Sequence, residues 1–241
     1  MVTIFSNFNQ LCSFDKRIFF LISKGQYQEA LWVVEEELNF SELFFGVGHS
    51  ETAKVLNNLG WINDLLGNAE EAEVYYSRAL QIKEKNLGQF SEELIPTLQN
   101  LASFYTAKQD YKKAEAILNR LISLVERLNM HWKIRKSVYL YQISEIKDRL
   151  DCPEISESFY WKSLSFLEAN FGYNHPNVGK ILTKLADLYT KSGDLQKAEY
   201  FFNRALKPLK KSFHKNHPDI KYIRRGLENI YSELNISAKI P

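Results

Sequence analysis

The side chains best suited to chemistry in this chain are its five histidines. His49, His175 and His217 are separated by multiples of 42 residues, so a repeated structural role explains them, while His131 and His214 stand alone. Zinc sites and metalloproteases place their ligands in short motifs such as CxxC or HExxH, and the sequence contains neither. The sequence therefore predicts no metal site and no metal cofactor.

Other groups capable of catalysis are equally isolated. Cys12 and Cys152 lie far apart in dissimilar surroundings, which is typical of reduced thiols and not of a disulfide scaffold. The segment Gly46-Val47-Gly48 lacks the third glycine and the preceding strand of a dinucleotide-binding loop. The runs Glu35-Glu36-Glu37 and Glu70-Glu71 are expected to face solvent. With no nucleophile–base pair in view, we predict a protein without enzymatic activity and without a cofactor.

The composition favours a folded helical protein. Hydrophobic residues make up 45% of the chain and aromatic residues 14%, which excludes disordered and collagen-like classes. Only ten glycines and six prolines are present, so long helices are favoured over a turn-rich β protein. The apolar run from Ile18 to Ile22 is too short for a membrane span and is flanked by charges unlike those of a signal peptide. We expect a cytoplasmic protein with no transmembrane segment.

The sequence repeats itself every 42 residues without insertion or deletion from residue 14 to residue 230. Writing the chain in rows of that length aligns three columns of apolar residues and one column of small residues. The apolar columns are Phe20, Ile62, Phe104, Ile146, Leu188 and Ile230; Phe14, Leu56, Leu98, Leu140 and Leu182; and Leu59, Leu101, Ile143, Leu185 and Leu227. The small column is Ala30, Ala72, Ala114, Ser156 and Ala198.

Each row contains two helical patterns. Leu56, Leu59 and Ile62 recur at three-residue steps, which is the spacing of one stripe of an amphipathic helix. A second helical pattern runs from Ala72 to Ile82. The row is therefore predicted to form a helix–turn–helix hairpin, with the small residue at the point where the two helices approach most closely.

The breaks between the patterns have the chemistry of helix ends. At Gly67-Asn68 and Gly193-Asp194 the glycine can end one helix while the Asn or Asp side chain caps the next. Pro176 and Pro218 suit the first turn of the helix that follows them, because the amide proton that proline lacks would be unpaired there. A single hairpin cannot cover its own apolar stripe, so stacked neighbours must supply the core.

These residues resemble the tetratricopeptide repeat family. The matching residues are Leu59-Gly60, Gly67, Ala72, Tyr76 and Ala79, and the 42-residue length with the starts HPNV at 175–178 and HPDI at 217–220 is similar to the repeat of kinesin light chains. The resemblance implies an all-α, right-handed α-α superhelical solenoid of about five helix-turn-helix hairpins plus a C-terminal capping helix. The single solenoid would span residues 1–241, with repeats at about 7–48, 49–90, 91–132, 133–174 and 175–216 and the capping helix at 217–235.

One row departs from the pattern. Between residues 132 and 173, Asp151 replaces the glycine, Ser156 and Ser163 replace alanines, and Pro153 opens the second helix. We interpret this row as the weakest hairpin and a candidate hinge. At the chain ends, Arg17 and Arg224 stand in leucine columns, as expected of terminal helices whose outer side faces water.

The resemblance implies a peptide-binding groove along the first helix of each hairpin, on the face opposite the core stripe. Asparagine suits this role because its side chain can bond both an N–H and a C=O of an extended peptide. The lysines and the arginine would attract acidic groups, and the aromatic side chains would serve as flat anchors. The predicted groove residues are Lys54, Asn57, Asn58, Trp61, Gln99, Asn100, Ser103, Tyr141, Lys180, Lys184, Tyr222 and Arg225.

Charge is distributed unevenly although the net charge is only +2. Residues 29–93 carry thirteen acidic and four basic side chains, whereas residues 179–225 carry twelve basic and four acidic ones. The predicted basic end consists of Lys207, Lys210, Lys211, Lys215, Lys221 and Arg224. It could bind nucleic acid or an anionic membrane, meet the acidic half of another copy head to tail, or simply be solvated. Nucleic acid is disfavoured because no aromatic-lined groove accompanies the lysines.

The leading functional hypothesis is a non-enzymatic scaffold, adaptor or assembly factor that binds an extended, polar or acidic segment of another protein. A second hypothesis is a regulator whose curvature changes when a peptide binds. A third is a nucleic-acid or membrane-surface binder that works through the basic end.

Overall fold

The computed structural model describes residues 14–128 and 133–234, and this part of the chain consists of helices and turns with no strand. The helices are α1 (14–23), α2 (Tyr27–Phe44), α3 (Ser50–Leu66), α4 (Ala69–Leu87), α5 (Ile95–Ala107), α6 (Tyr111–Arg127), α7 (Lys133–Arg149), α8 (Pro153–Phe171), α9 (Pro176–Lys191), α10 (Leu195–Ser212) and α11 (Pro218–Glu233). A short 3₁₀ turn, Glu92–Leu94, precedes α5. The predicted all-α helical repeat is confirmed.

The chain divides into two compact units, Met1–Leu124 and Val125–Pro241. We refer to the odd-numbered helices as A helices and to the even-numbered ones as B helices. Within the hairpins, α3 packs on α4, α7 packs on α8, and α9 packs on α10. Between hairpins of the same unit, a B helix contacts the next A helix, for example α2 with α3 and α8 with α9. That the whole chain forms one continuous solenoid stays a prediction.

The columns found in the sequence form the core of each unit. Ala30, Ala72, Ala114, Ser156 and Ala198 are all fully buried. The three apolar columns are buried as well, with one exception among the apolar residues. Phe20 is 59% exposed, whereas Phe104 at the equivalent position packs edge-on against the ring of Tyr76 in the preceding B helix, with 6.0 Å between ring centroids. This column therefore covers the preceding hairpin, and the exposure of Phe20 follows from its place in the first described helix.

The turn inside each hairpin imposes a left-handed backbone at one position. Gly25, Gly67 and Gly193 have φ of 73°, 83° and 80°. Gln109 and Asp151 occupy the same position in the other two hairpins and adopt φ of 62° and 53°. Non-glycine residues rarely adopt this conformation because Cβ crowds the following carbonyl. The repeat geometry therefore holds the turn even where glycine is missing.

The predicted helix caps are confirmed only in part. The Asp194 side chain accepts a hydrogen bond from the backbone N–H of Lys197 at 3.1 Å, and helices begin at Pro153, Pro176 and Pro218 as expected. The prediction that the Asn68 side chain caps α4 is wrong, because that side chain makes no hydrogen bond to the first turn of the helix. Its Nδ2 instead donates to Oδ1 of Asn63 at 3.0 Å. Asn63 is itself buried in α3, where it bonds the carbonyl of Leu59, so the amide of Asn68 satisfies a buried acceptor.

The serines of the divergent row make hydrogen bonds between α7 and α8. Ser156 donates to the carbonyl oxygen of Ser144 at 3.0 Å, and Ser163 donates to that of Ser137 at 2.7 Å. Both hydroxyls are fully buried, and a buried hydroxyl that finds an acceptor offsets its loss of water. The serine substitutions thus leave no unsatisfied polar group. Whether this hairpin acts as a hinge stays a prediction.

The contact between α3 and α4 leaves no room for a side chain at Gly60. A Cβ atom built there would lie 2.7 Å from Cδ1 of Tyr76. The Tyr76 ring is only 1% exposed and also contacts Phe104, so it cannot move without disturbing the next hairpin. The leucine–glycine pair of the repeat is therefore a packing requirement of the second hairpin.

We expect Gly60→Val to lower the free energy of unfolding by about 1–3 kcal/mol, the usual cost of overpacking a core. The loss should appear although valine is a better helix former than glycine. Urea denaturation measures it. Gly48→Val is the control, because nothing lies within 4 Å of a Cβ at Gly48 and its change should stay within about 0.5 kcal/mol. Equal stability of the two variants would contradict the packing requirement.

Candidate functional site

The three histidines at equivalent positions are helix caps. Nδ1 of His49, His175 and His217 accepts a hydrogen bond from the backbone N–H two residues later, at 3.2, 3.2 and 3.3 Å. Each ring also lies against a phenylalanine at the end of the preceding B helix, as His217 does against Phe213 with 4.0 Å between ring centroids. Burial lowers the pKa of His175, which keeps its Nδ1 free to accept. The predicted structural role of this histidine column is confirmed.

The described residues offer no metal site. No group of three or more His, Cys, Asp or Glu side chains among them is arranged to hold a metal ion. Cys152 is a free thiol, while Cys12 and His131 lie outside the described residues. No helix in the described ranges is both long and apolar enough to cross a membrane.

The expectation that Glu37 faces solvent is wrong. Its side chain is 2% exposed on the face of α2 that also buries Val33, Val34 and Ser41. Among the described residues, its Oε2 atom finds no hydrogen-bond partner. Burial, with smaller contributions from the charges of Asp15 and Glu51, raises the pKa of Glu37 to about 8. The sequence held a signal for this burial, because Ala30, Val33 and Val34 recur along α2 with helical spacing and Glu37 lies on the same face. The run of three glutamates obscured that signal.

In unit 1 the predicted groove residues lie together on α3 and α5. We call this surface the unit 1 A-helix face; it comprises Lys54, Asn57, Asn58, Trp61, Gln99, Asn100 and Ser103. The asparagines of successive A helices bond each other, with Nδ2 of Asn100 donating to Oδ1 of Asn57 at 3.2 Å. Lys54 pairs with Glu51 at 2.8 Å. Trp61 is half-buried and Ser103 is exposed, so the face is largely neutral and rich in amides.

In unit 2 the predicted groove residues lie on α7, α9 and α11 and form the unit 2 A-helix face: Tyr141, Lys180, Lys184, Tyr222 and Arg225. Tyr141 is half-buried, its hydroxyl donating to Glu145 at 3.1 Å, and Lys184 pairs with the same carboxylate at 3.4 Å. Within the described part of this unit, Lys180 and Arg225 are exposed and make no ion pair. The free cations of the face are thus Lys180 and Arg225, because Glu145 already neutralises Lys184.

A half-buried acid supports the exposed tyrosine of this face. The Tyr222 hydroxyl donates to Asp187 at 2.9 Å. Burial and the Asp187 carboxylate raise the pKa of Tyr222 to about 12, so the hydroxyl keeps its proton at neutral pH. Burial also raises the pKa of Asp187 above its usual range.

Three adjoining depressions run along the unit 2 A-helix face. The first two share Tyr141 and Lys180 in their walls, and the second and third share Asp187 and Tyr222. The first has the apolar walls Val138 and Ile181, and the third is lined by Arg225 and Asn229. Neighbouring depressions share lining residues, so they form a row across α7, α9 and α11, which we call the channel.

The predicted basic end lies on the last turns of α10, the following turn and the first half of α11. Arg224 is partly buried and the other members are exposed: Lys207, Lys210, Lys211, Lys215 and Lys221. None of the six makes an ion pair in the described part of unit 2. By contrast, Lys191 pairs with Asp148 at 2.9 Å and Arg204 pairs with Glu168.

Two repeated polar contacts between hairpins were missed at the sequence level. Arginines of B helices pair with glutamates of the preceding B helix at Arg78–Glu42, Arg120–Glu84 and Arg204–Glu168. Tyrosines of A helices donate to glutamates of the preceding B helix at Tyr105–Glu73, Tyr189–Glu157 and Tyr231–Glu199. The signal was present, because these glutamates recur at multiples of 42 residues just as the apolar columns do. These contacts are partly buried, and ion pairs near a protein surface add little stability each.

The repeated hairpin and its surface define an all-α helical-repeat protein of the solenoid class. A sequence model described as tetratricopeptide repeat matches residues 10–85 and 136–211, and a second model with the same description matches residues 97–129. These matches cover more than half of the chain. The chain belongs to the tetratricopeptide repeat family, which confirms the resemblance stated from the sequence.

Two clustered mitochondria protein homologs, from Emericella nidulans and Aspergillus niger, are each 24% identical to the chain over 191 residues. The match covers 73% of this chain but only 14% of each relative. The chain therefore spans a small part of the length of these curated relatives.

Solved structures share the fold at low sequence identity. BtubC (BKLC) from P. vanneervenii superposes with a TM-score of 0.68 at 19% identity, covering 88% of this chain and 84% of that one. The repeats of a putative kinesin light chain from Podosopora anserina give a TM-score of 0.73 at 15% identity, covering 84% and 96%. Apo RapI gives 0.69 at 14% identity, covering 94% and 83%. These likenesses establish the fold alone.

The burial of Glu37 predicts a pH-dependent stability. The pKa of Glu37 is about 8 in the folded protein and about 4.5 in the unfolded chain, so the folded state holds the extra proton between these values. The free energy of unfolding should therefore fall as pH rises through this window. Glu37→Gln removes the charge, and we expect it to be more stable than the parent by about 1–3 kcal/mol near pH 8.

Urea denaturation between about pH 5 and about pH 8 measures this difference. Glu36→Gln is the matched control, because Glu36 is the exposed neighbour of Glu37. The control should follow the parent at every pH. A Glu37→Gln variant whose advantage does not grow with pH would contradict the assignment.

Proposed function

We propose that the chain is a non-enzymatic protein-interaction module whose A-helix faces hold an extended, polar or acidic segment of a partner protein. The observation that carries this proposal is the channel of unit 2, a row of three adjoining depressions. It offers the aromatic rings of Tyr141 and Tyr222 and the unpaired charges of Lys180 and Arg225 along one surface. Aromatic and arginine side chains are the residue types that dominate binding energy in protein interfaces.

The polar side chains of both faces fit an extended peptide backbone. Asn177 and Asn229 line the first and third depressions of the channel, and Thr183 lines the second. In unit 1, the Asn57–Asn100 bond uses the side-chain oxygen of Asn57 and one N–H of Asn100, so it leaves the NH2 group of Asn57 and the side-chain carbonyl of Asn100 for a ligand. Asparagine can satisfy both the donor and the acceptor of a peptide unit, which is how extended segments are held without regard to their side chains.

The charges of the channel set the preference for an acidic occupant. Lys184 is already paired with Glu145, so an acidic side chain would gain most from Lys180 and Arg225. The apolar walls at Val138 and Ile181 would accept a neighbouring apolar side chain. We propose a cytoplasmic location for this module, a compartment in which the free thiol of Cys152 stays reduced.

A random peptide library selected on the purified protein tests this function. We expect the selected peptides to be enriched in Asp and Glu, and we expect Lys180→Glu and Arg225→Glu each to weaken their binding by about tenfold in fluorescence anisotropy. Lys162→Glu is the control, because Lys162 is exposed on α8 outside the channel. Selected peptides without acidic enrichment, or channel variants that bind like the control, would contradict the proposal.

A further inference from the structure

The outer face of α2 and α4 combines exposed apolar side chains with unpaired acids. Trp32 is 61% exposed and Val74 is 63% exposed. Glutamates lie one helical turn before and after Trp32 and one turn before Val74, so each apolar side chain has carboxylates beside it. We call this surface the acidic B-helix face: Trp32, Glu35, Glu36, Glu70, Glu71 and Val74.

Three other glutamates of the same helices, Glu42, Glu73 and Glu84, pair with cations of neighbouring helices. The glutamates of this face, Glu35, Glu36, Glu70 and Glu71, make no ion pair within residues 14–124. Glu70 and Glu71 lie in the first turn of α4, where carboxylates favour the helix dipole. Glu35 and Glu36 lie in mid-helix and have no such role.

Helix α10 presents the complementary surface. Tyr200 is 59% exposed, and Lys207, Lys210 and Lys211 follow it on the exposed side of the helix. Among the described residues of unit 2 these three lysines have no acidic partner. We call this surface the basic B-helix face: Tyr200, Lys207, Lys210 and Lys211.

The two faces also match in construction. Trp32, Val74 and Tyr200 occupy the same position of the 42-residue repeat, so each face presents its exposed ring or branched side chain from an equivalent point on a B helix. The acidic B-helix face carries glutamates one helical turn from this position. The basic B-helix face carries lysines two to three turns after it. Opposite charges around apolar centres are the arrangement that steers and orients protein association.

We propose that the acidic B-helix face of one copy binds the basic B-helix face of a second copy. The contact joins two different surfaces, so it is heterologous and can link more than two molecules. It is independent of the peptide-binding function proposed above, because no residue of either B-helix face belongs to the A-helix faces. Since exposed charges supply much of the attraction, the association should be strongly weakened by salt.

Sedimentation velocity of the purified full chain tests the association over a range of protein concentrations. The screening length is about 30 Å at about 0.01 M salt and about 3 Å at about 1 M salt. We expect the weight-average sedimentation coefficient to rise with concentration at low salt and to stay at the monomer value at high salt. Trp32→Ser should weaken the low-salt association without removing its salt dependence.

Charge reversal then identifies the surfaces. The variant Glu35→Lys/Glu36→Lys makes the acidic face basic, and Lys207→Glu/Lys210→Glu/Lys211→Glu makes the basic face acidic. Each variant alone should lose association, and a mixture of the two should regain it. Glu92→Lys, at an exposed acid of the 3₁₀ turn, should associate like the parent.

The outcomes separate this proposal from its alternatives. A parent chain that stays monomeric at low salt overturns the proposal, and so does a mixture of the reversed variants that fails to associate. Helical circular dichroism like that of the parent in each variant ensures that such a failure is not unfolding. A monomeric parent that binds heparin, and that loses this binding in the Lys207→Glu/Lys210→Glu/Lys211→Glu variant, would instead assign the basic B-helix face to a polyanion.

Discussion

Within each unit, the fold depends on the packing of a B helix against the A helix of the next hairpin. Tyr76 shows why, because its ring fills the space above Gly60 within its own hairpin and contacts Phe104 of the following one. A hairpin alone would leave part of such a ring in water. Stability is thus shared between neighbours, as expected of repeat proteins. Phe20, in the first described helix, is exposed although the other apolar members of its column are buried.

The same packing sorts the charged side chains into paired and free groups. Arginine–glutamate and tyrosine–glutamate contacts recur between successive hairpins, and they give six glutamates of the B helices a hydrogen-bond or ion-pair partner. Charges that remain free, such as Lys180 on an A helix and Lys207 on a B helix, are exposed. These two lie on the surfaces for which we propose different partners, an extended segment for the A-helix faces and another copy of the chain for the B-helix faces.

The predicted surface residues illustrate how far sequence reasoning reaches. The period placed Asn57, Asn100 and Tyr222 on A-helix faces, because positions three and four apart share one side of a helix. It could not show that Lys184 is neutralised by Glu145, or that Asn57 and Asn100 bond each other, since these contacts join helices about one repeat apart. Glu37 was misplaced for a related reason, because its acidic neighbours in sequence suggested solvent while the periodicity of α2 turned it inward.

The sequence by itself determined the helices, their order and the family, because a strict 42-residue period repeats the same apolar spacing in row after row. It also determined the positions of the turns, since the repeat holds even Gln109 and Asp151 in the left-handed conformation that glycine adopts elsewhere. Only the tertiary structure decided which polar groups are satisfied, as at Asn68, Ser156 and Ser163. The physical reason is that a hydrogen bond or ion pair requires two atoms to meet within about 3 Å, and this meeting depends on how neighbouring helices pack.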